Sequence, residues 1–186
     1  ASYSGKSLDV NPPAATPEGL IFSPDGRKMF ISDNTGSQIE EFSLSTAWDI
    51  NTAVDAESPL NITDSGGNIE DIAFNADGTK LFVVDRSSNM ILEYTLSSAY
   101  DISAETYAGN GERLDMSSQL DNAEDLAFNT GGTRLFVLEN EGDDQVIEYA
   151  CSTGFDVSTC SHASSDLTLV DSTNTNLDAS DAFEFS

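Results

Sequence analysis

Basic side chains are scarce in this chain. Seven Lys and Arg stand against 33 Asp and Glu, a formal net charge of −26 over 186 residues. Such a surface repels phosphate backbones and anionic headgroups, which argues against nucleic-acid partners and membrane binding. Histidine occurs once, at His162, so His-pair chemistry and multi-histidine zinc sites are excluded. His162 sits in a serine-rich stretch with no orienting partner in view, and reads as an exposed loop residue. No run of 18 apolar residues exists, which excludes a membrane-spanning helix. A nucleophile elbow, a Gly-rich phosphate loop and a dinucleotide fingerprint are all missing. The chain opens on Ala1 without a signal peptide, as expected of a processed chain or an excised segment. Cysteine is limited to Cys151 and Cys160. Their spacing is too wide for a CxxC redox pair, and a small even count suits a disulfide in an oxidising compartment.

What the sequence does have is a repeat. Gly19 to Ile50, Asp71 to Ile102 and Asp125 to Val157 align without forcing, with Phe22, Phe74 and Phe128 equivalent and Phe185 in a partial fourth copy. A period of roughly fifty residues signals a tandem architecture. Within the second copy, Ile72 and Phe74 alternate with polar neighbours. Asn75-Ala76-Asp77-Gly78 then makes a hairpin turn. Leu81 to Val84 is continuously apolar, as in a strand covered on both faces. Met90 to Leu96 alternates again, and a looser fourth strand follows around Glu105 to Met116. Four short antiparallel strands per copy make one β-propeller blade, and blades must stack to bury both faces. The predicted fold class is therefore all-β, of propeller type.

The termini read as fragments of the same unit. Tyr3 to Val10 matches Tyr107 to Met116 and is expected to be the outer strand of a preceding copy. Ala182 to Ser186 matches Gly19 to Ser23 and is expected to be the inner strand of a following one. The single repeat domain divides into an outer strand at 1–16, blades at 17–68, 69–122 and 123–176, and an inner strand at 177–186.

The runs FSPDG with KMFISD, FNADGTKLFVVD, STAWDI and SSAYDI resemble the bacterial propeller repeats of the YVTN and NHL type, tandem repeats of secreted proteins. The resemblance covers nearly the whole chain. It implies a propeller fold and a secreted bacterial protein, extracellular or at the cell surface. It leaves function open, because such propellers include adhesion modules and lactonase-like enzymes. The third copy departs at Gly131, where Asp is usual, and at Cys151.

Acidic residues start each inner strand: Glu18, Glu70, Asp71, Glu124, Asp125 and Asp181. Carboxylates gathered near a propeller channel repel one another unless protonated or bridged by a cation. Glu18, Asp71, Asp125 and Asp181 are the candidate ligands of a calcium ion, structural or, by the lactonase resemblance, catalytic. The alternative is that they merely contact backbone N–H groups or solvent. Asp33, Asp85 and Glu139 each end a second strand and are expected to turn the chain by side-chain hydrogen bonds. Trp48, Tyr100 and Phe155, each before an aspartate, suit a packing staple with an Asx turn, or else glycan stacking. Cys151 and Cys160 fall on neighbouring strands and are expected to form a disulfide. Asn61-Ile62-Thr63 is a glycosylation sequon.

Together these features lead to the expectation of a non-enzymatic structural or interaction module. It would self-associate, even into a filament, with Tyr3, Leu8, Val10, Phe183 and Phe185 as assembly residues. The alternatives are a calcium-dependent lactonase-like hydrolase and a carbohydrate-binding adhesion module.

Overall fold

The computed structural model describes residues 4–63, 66–107, 112–140 and 145–168. The periodicity of the three copies becomes three antiparallel sheets. Blade one holds β1 (Pro17–Phe22), β2 (Lys28–Asp33) and β3 (Gln38–Leu44), with a fourth strand broken into β4 (Ala53–Asp55) and β5 (Leu60–Asn61). Blade two repeats this with β6 (Ile69–Phe74), β7 (Lys80–Asp85), β8 (Met90–Leu96), β9 (Glu105–Tyr107) and β10 (Arg113–Asp115). Blade three has β11 (Ala123–Phe128), β12 (Arg134–Glu139), β13 (Gln145–Cys151) and an unbroken β14 (Cys160–Thr168). The expected single outer strand is thus split in the first two blades. In blade one, β4 pairs with the end of β3 and β5 with its start.

The continuous apolar strand has the predicted cause. On β7, Leu81 and Val83 join the cluster shared with blade one, whereas Phe82 and Val84 join the cluster shared with blade three. All four are fully buried, each contributing roughly 1.5–3 kcal/mol of transfer free energy. Period two thus sorts alternate side chains into two inter-blade cores.

One hairpin shows how the turn chemistry acts. The Asn75 side chain accepts from Lys80 N–H at 2.9 Å, and the Asp77 carboxylate accepts from Thr79 N–H at 3.0 Å. Gly78 has φ +72°, and a Cβ there would lie 2.2 Å from the Tyr100 ring. Tyr100 N–H donates back to the Gly78 carbonyl at 2.8 Å. Trp48 over Gly26 and Phe155 over Gly132 repeat the arrangement. The aromatics before aspartate are therefore packing staples. Asp49 and Asp101 each accept from the backbone N–H two residues on, the expected Asx turn.

Junctions between blades also repeat. Phe30 packs at a tilt against Phe74, and Phe74 against Tyr100; Phe82 packs likewise against Phe128, and Phe128 against Phe155. Lys28 Nζ reaches Glu41 at 2.7 Å and donates to the Tyr100 carbonyl at 2.8 Å. Lys80 likewise pairs with Glu93 and donates to the Phe155 carbonyl at 2.7 Å. Glu93 also accepts from Val157 N–H at 2.9 Å.

Leu8, Val10 and the buried Ala14 pack on the far face of blade one against Met29, Ile31 and Phe42. Residues 4–16 form no strand, contrary to expectation. Their side chains nonetheless take the place that Leu114, Met116 and Leu120 take on blade three. Tyr3, Phe183 and Phe185 lie outside the described residues.

Cys151 and Cys160 face each other across β13 and β14 and are disulfide-bonded. His162 is not a loop residue: β14 continues past it, and its ring lies half-buried 5.9 Å from that of Tyr149. Asn61 is exposed on β5. Among the described residues no helix is long and apolar enough to cross a membrane.

Candidate functional site

The inner strands β1, β6 and β11 run side by side. Each carries a register irregularity at the same place: between Pro17 and Leu20, Ile69 and Ile72, and Ala123 and Asp125. Bulges of this kind re-aim side chains. Here they turn two consecutive residues of each strand, Glu18-Gly19, Glu70-Asp71 and Glu124-Asp125, toward a shared cavity of 680 Å³. That volume is ordinary for a small-molecule site.

The three equivalent positions differ. Blade one has Gly19 where the others have Asp71 and Asp125. A Cβ at Gly19 would lie 2.8 Å from Asp71 Oδ1 and 3.0 Å from the Glu70 carbonyl, so a larger residue would displace the Asp71 carboxyl. Ser32 fixes this contact: it accepts from Gly19 N–H at 2.7 Å and donates to the Glu70 carbonyl at 2.8 Å.

The Asp71 and Asp125 carboxyls are neighbours on β6 and β11 and act on each other. Burial first, and then the neighbouring Asp125 carboxyl, push Asp71 well above the usual aspartate range. Two neighbouring carboxyls disfavour each other's ionisation, which adds to the effect of burial on Asp71. Asp71 Oδ2 also accepts from Leu126 N–H at 3.3 Å, which holds the side chain over β11.

The neighbouring glutamates are held by other means. Arg86 Nη1 lies 2.9 Å from Glu124 and 3.6 Å from Glu70, and its Nε donates to Asn122 at 3.0 Å. Asn34 donates to Glu70 at 3.1 Å. Burial raises both Glu70 and Glu124, against the pull of Arg86. The cavity's other wall is apolar, with Leu20, Phe22, Trp48, Ile72 and Leu126.

Of the four candidate calcium ligands, Asp71 and Asp125 meet, Glu18 lines the same cavity, and Asp181 lies outside the described residues. Among the described residues, no group of three or more Asp, Glu, His or Cys is placed to hold a metal ion. Asp33 turns the chain as expected by accepting from Gly36 N–H, but all three side chains, Asp33, Asp85 and Glu139, also tie the end of the second strand back to the segment that leads into the inner strand. Asp33 accepts from Thr16 and Gly36 N–H, Asp85 from Gly66 N–H, and Glu139 from Asp121 N–H.

No protein-family profile matches the chain, and no curated protein matches it significantly. Solved structures do. A periplasmic gluconolactonase from Pseudomonas aeruginosa superposes with a TM-score of 0.59 at 19% identity, covering 85% of this chain and 41% of that one. A candidate 6-phosphogluconolactonase from Bacteroides uniformis gives 0.57 at 14% identity, covering 83% and 41%. The β-propeller domain of Cps50 from Myceliophteria thermophila gives 0.50 at 10% identity, covering 81% and 43%. The chain spans less than half the length of each, and the likeness shows a propeller fold.

These matches correct the expectation of a non-enzymatic, self-associating structural module. Lactonase propellers stand among the most similar structures, and the inner-strand acids form a paired-carboxyl cavity rather than scattered contacts to backbone and solvent.

Proposed function

We propose that this chain carries the hydrolytic site of a lactonase-like enzyme, with Asp71 and Asp125 as an acid–base pair. The observation that carries this reading is the placing of Asp71 and Asp125 side by side in the lining of a substrate-sized cavity. The gluconolactonase and 6-phosphogluconolactonase propellers support the substrate class, a cyclic ester.

In this reading Asp125 accepts a proton from water as the water oxygen bonds to the lactone carbonyl carbon. Protonated Asp71 donates to the ring oxygen as the bond from that oxygen to the carbonyl carbon breaks. One water is consumed, a hydroxy acid is released, and the proton now on Asp125 passes back to Asp71 to reset the pair. The pair works only while it holds one proton, which gives a bell-shaped pH dependence belonging to the pair as a whole.

The disulfide and the periplasmic setting of the Pseudomonas aeruginosa neighbour support work outside the cytoplasm, in the periplasm or extracellular milieu. The test is hydrolysis of a panel of γ- and δ-lactones followed by proton release. Asp125→Asn and Asp71→Asn are expected to lower kcat at least ~100-fold, the range of general acid–base contributions. Hydrolysis unchanged in both variants would remove the proposal.

A further inference from the structure

We infer that Asn61 is an N-glycosylation site, its side-chain amide carrying a glycan joined through the anomeric carbon. The sequon Asn61-Ile62-Thr63 lies at the outer edge of blade one, where β5 pairs with β3. Along this segment Leu60 and Ile62 are 4% and 3% exposed, whereas Asn61 and Thr63 are exposed. The alternation of an extended chain sends both sequon side chains to solvent, while the apolar residues beside them anchor the segment. The carboxyl cavity lies along the inner strands, at the opposite edge of the sheet, so a glycan at Asn61 leaves it open. The modification is independent of the hydrolase reading.

The next copy of the repeat shows what this position ordinarily does. Asn61 stands opposite Gln38, the first residue of β3, and Asp115 stands opposite Met90, the first residue of β8. Leu60-Asn61-Ile62-Thr63 is thus the counterpart of Leu114-Asp115-Met116-Ser117. The Asp115 carboxylate closes an Asx turn, accepting from Ser117 N–H at 3.0 Å and from the Ser117 hydroxyl at 2.6 Å. Asp9 likewise accepts from Asn11 N–H at 3.1 Å. In blade one Asn stands for Asp and Thr for Ser, and among the described residues neither the Asn61 amide nor the Thr63 hydroxyl has a hydrogen-bond partner. The chain turns here without them: Ile62 N–H donates to the Ser37 carbonyl at 2.9 Å, as Met116 N–H does to the Asn89 carbonyl. The fold therefore makes no use of the two side chains that the sequon requires, and the Asp115–Ser117 contact shows that groups at this spacing come within hydrogen-bond reach. In addition, β5 carries no charge, whereas β10 bears Arg113 and Asp115. A glycan on Asn61 would shield a strand edge that has no charged side chain to do so.

The transfer forms a bond between Asn61 Nδ2 and the anomeric carbon of a glycosyl donor activated as a diphosphate. The bond from that carbon to the phosphate oxygen breaks, the diphosphate leaves with the electron pair, and a base of the transferase takes one Nδ2 proton. The Cys151–Cys160 disulfide supports passage through an oxidising compartment, the setting in which secreted glycoproteins mature. The experiment is peptide mass spectrometry of the chain as secreted by its own host, with electron-transfer fragmentation to place any added mass. The expected result is a carbohydrate mass on Asn61 in the peptide that spans Leu60 to Thr63. Thr63→Ala, at an exposed position, should lower occupancy at least ~tenfold, and Thr63→Ser should retain it, because the sequon accepts either hydroxyl. An unchanged urea midpoint in both variants would separate loss of the acceptor from loss of the fold. Asn61 unmodified in the native chain, or equally modified in the wild type and Thr63→Ala, would overturn the inference. Carbohydrate confined to serine and threonine side chains would overturn it as well.

Discussion

Asp71 carries the sharpest residue-scale consequence. Its folded-state pKa is raised by burial and by Asp125 above the ordinary aspartate value of 3.8. Such a group stabilises the fold fully below its unfolded pKa, and that contribution is lost as pH rises through the folded pKa. Glu70, Glu93 and Glu124 are raised by burial and act in the same sense. Unfolding measured by denaturant should therefore show stability falling as pH climbs from about 4 toward neutrality. Asp71→Asn should flatten part of that slope, because an amide has no proton to lose. A slope identical in the variant would show that Asp71 titrates normally. The pair itself was only half legible in the sequence. Glu70-Asp71 and Glu124-Asp125 stood out as acids at the start of inner strands. Strict alternation would have sent neighbouring side chains to opposite faces. The bulges that bring both to one cavity leave their trace only in that paired acidic step. The glycine at position 19, which admits the Asp71 carboxyl, reads simply as a weaker copy of the repeat.

At the scale of the element, the blade was legible because each rule pointed the same way. The Asn-Ala-Asp-Gly turn, the apolar Leu81–Val84 run and the Tyr100 staple all reappear in the structure as read. The broken outer strands were less legible, since short segments such as β5 and β10 have weak alternation and few apolar residues. Two variants test the element-scale account. Gly78→Ala places a methyl group 2.2 Å from the Tyr100 ring in a backbone with positive φ. It should cost roughly 2 kcal/mol or more by strain and overpacking, measured as a shift in urea midpoint. Lys80→Met strips Glu93, which is 1% exposed, of its cation. The loss should be about 3 kcal/mol, as for a buried pair broken on one side. Glu93→Gln in the same background should recover part of it. A Lys80→Met chain as stable as wild type would show that the inter-blade lysine is ornamental.

Across the whole molecule, charge dominates. A net charge of −26 makes compaction self-repulsive, and added salt screens exposed charges within about 10 Å at 0.1 M. The melting temperature should rise between 10 mM and 0.5 M NaCl, by roughly 2–4 °C for each kcal/mol of repulsion relieved. A melting temperature that fell with salt would place the balance in favourable ion pairs instead. The central claim is that the Asp71–Asp125 pair hydrolyses lactones, and the most direct test is the pH–rate profile of an alkyl γ-lactone with wild type and Asp125→Asn. The account predicts a bell-shaped kcat/KM in the wild type and loss of at least ~100-fold in the variant with its fold preserved. A flat profile, or an Asp125→Asn chain as active as the parent, would contradict it.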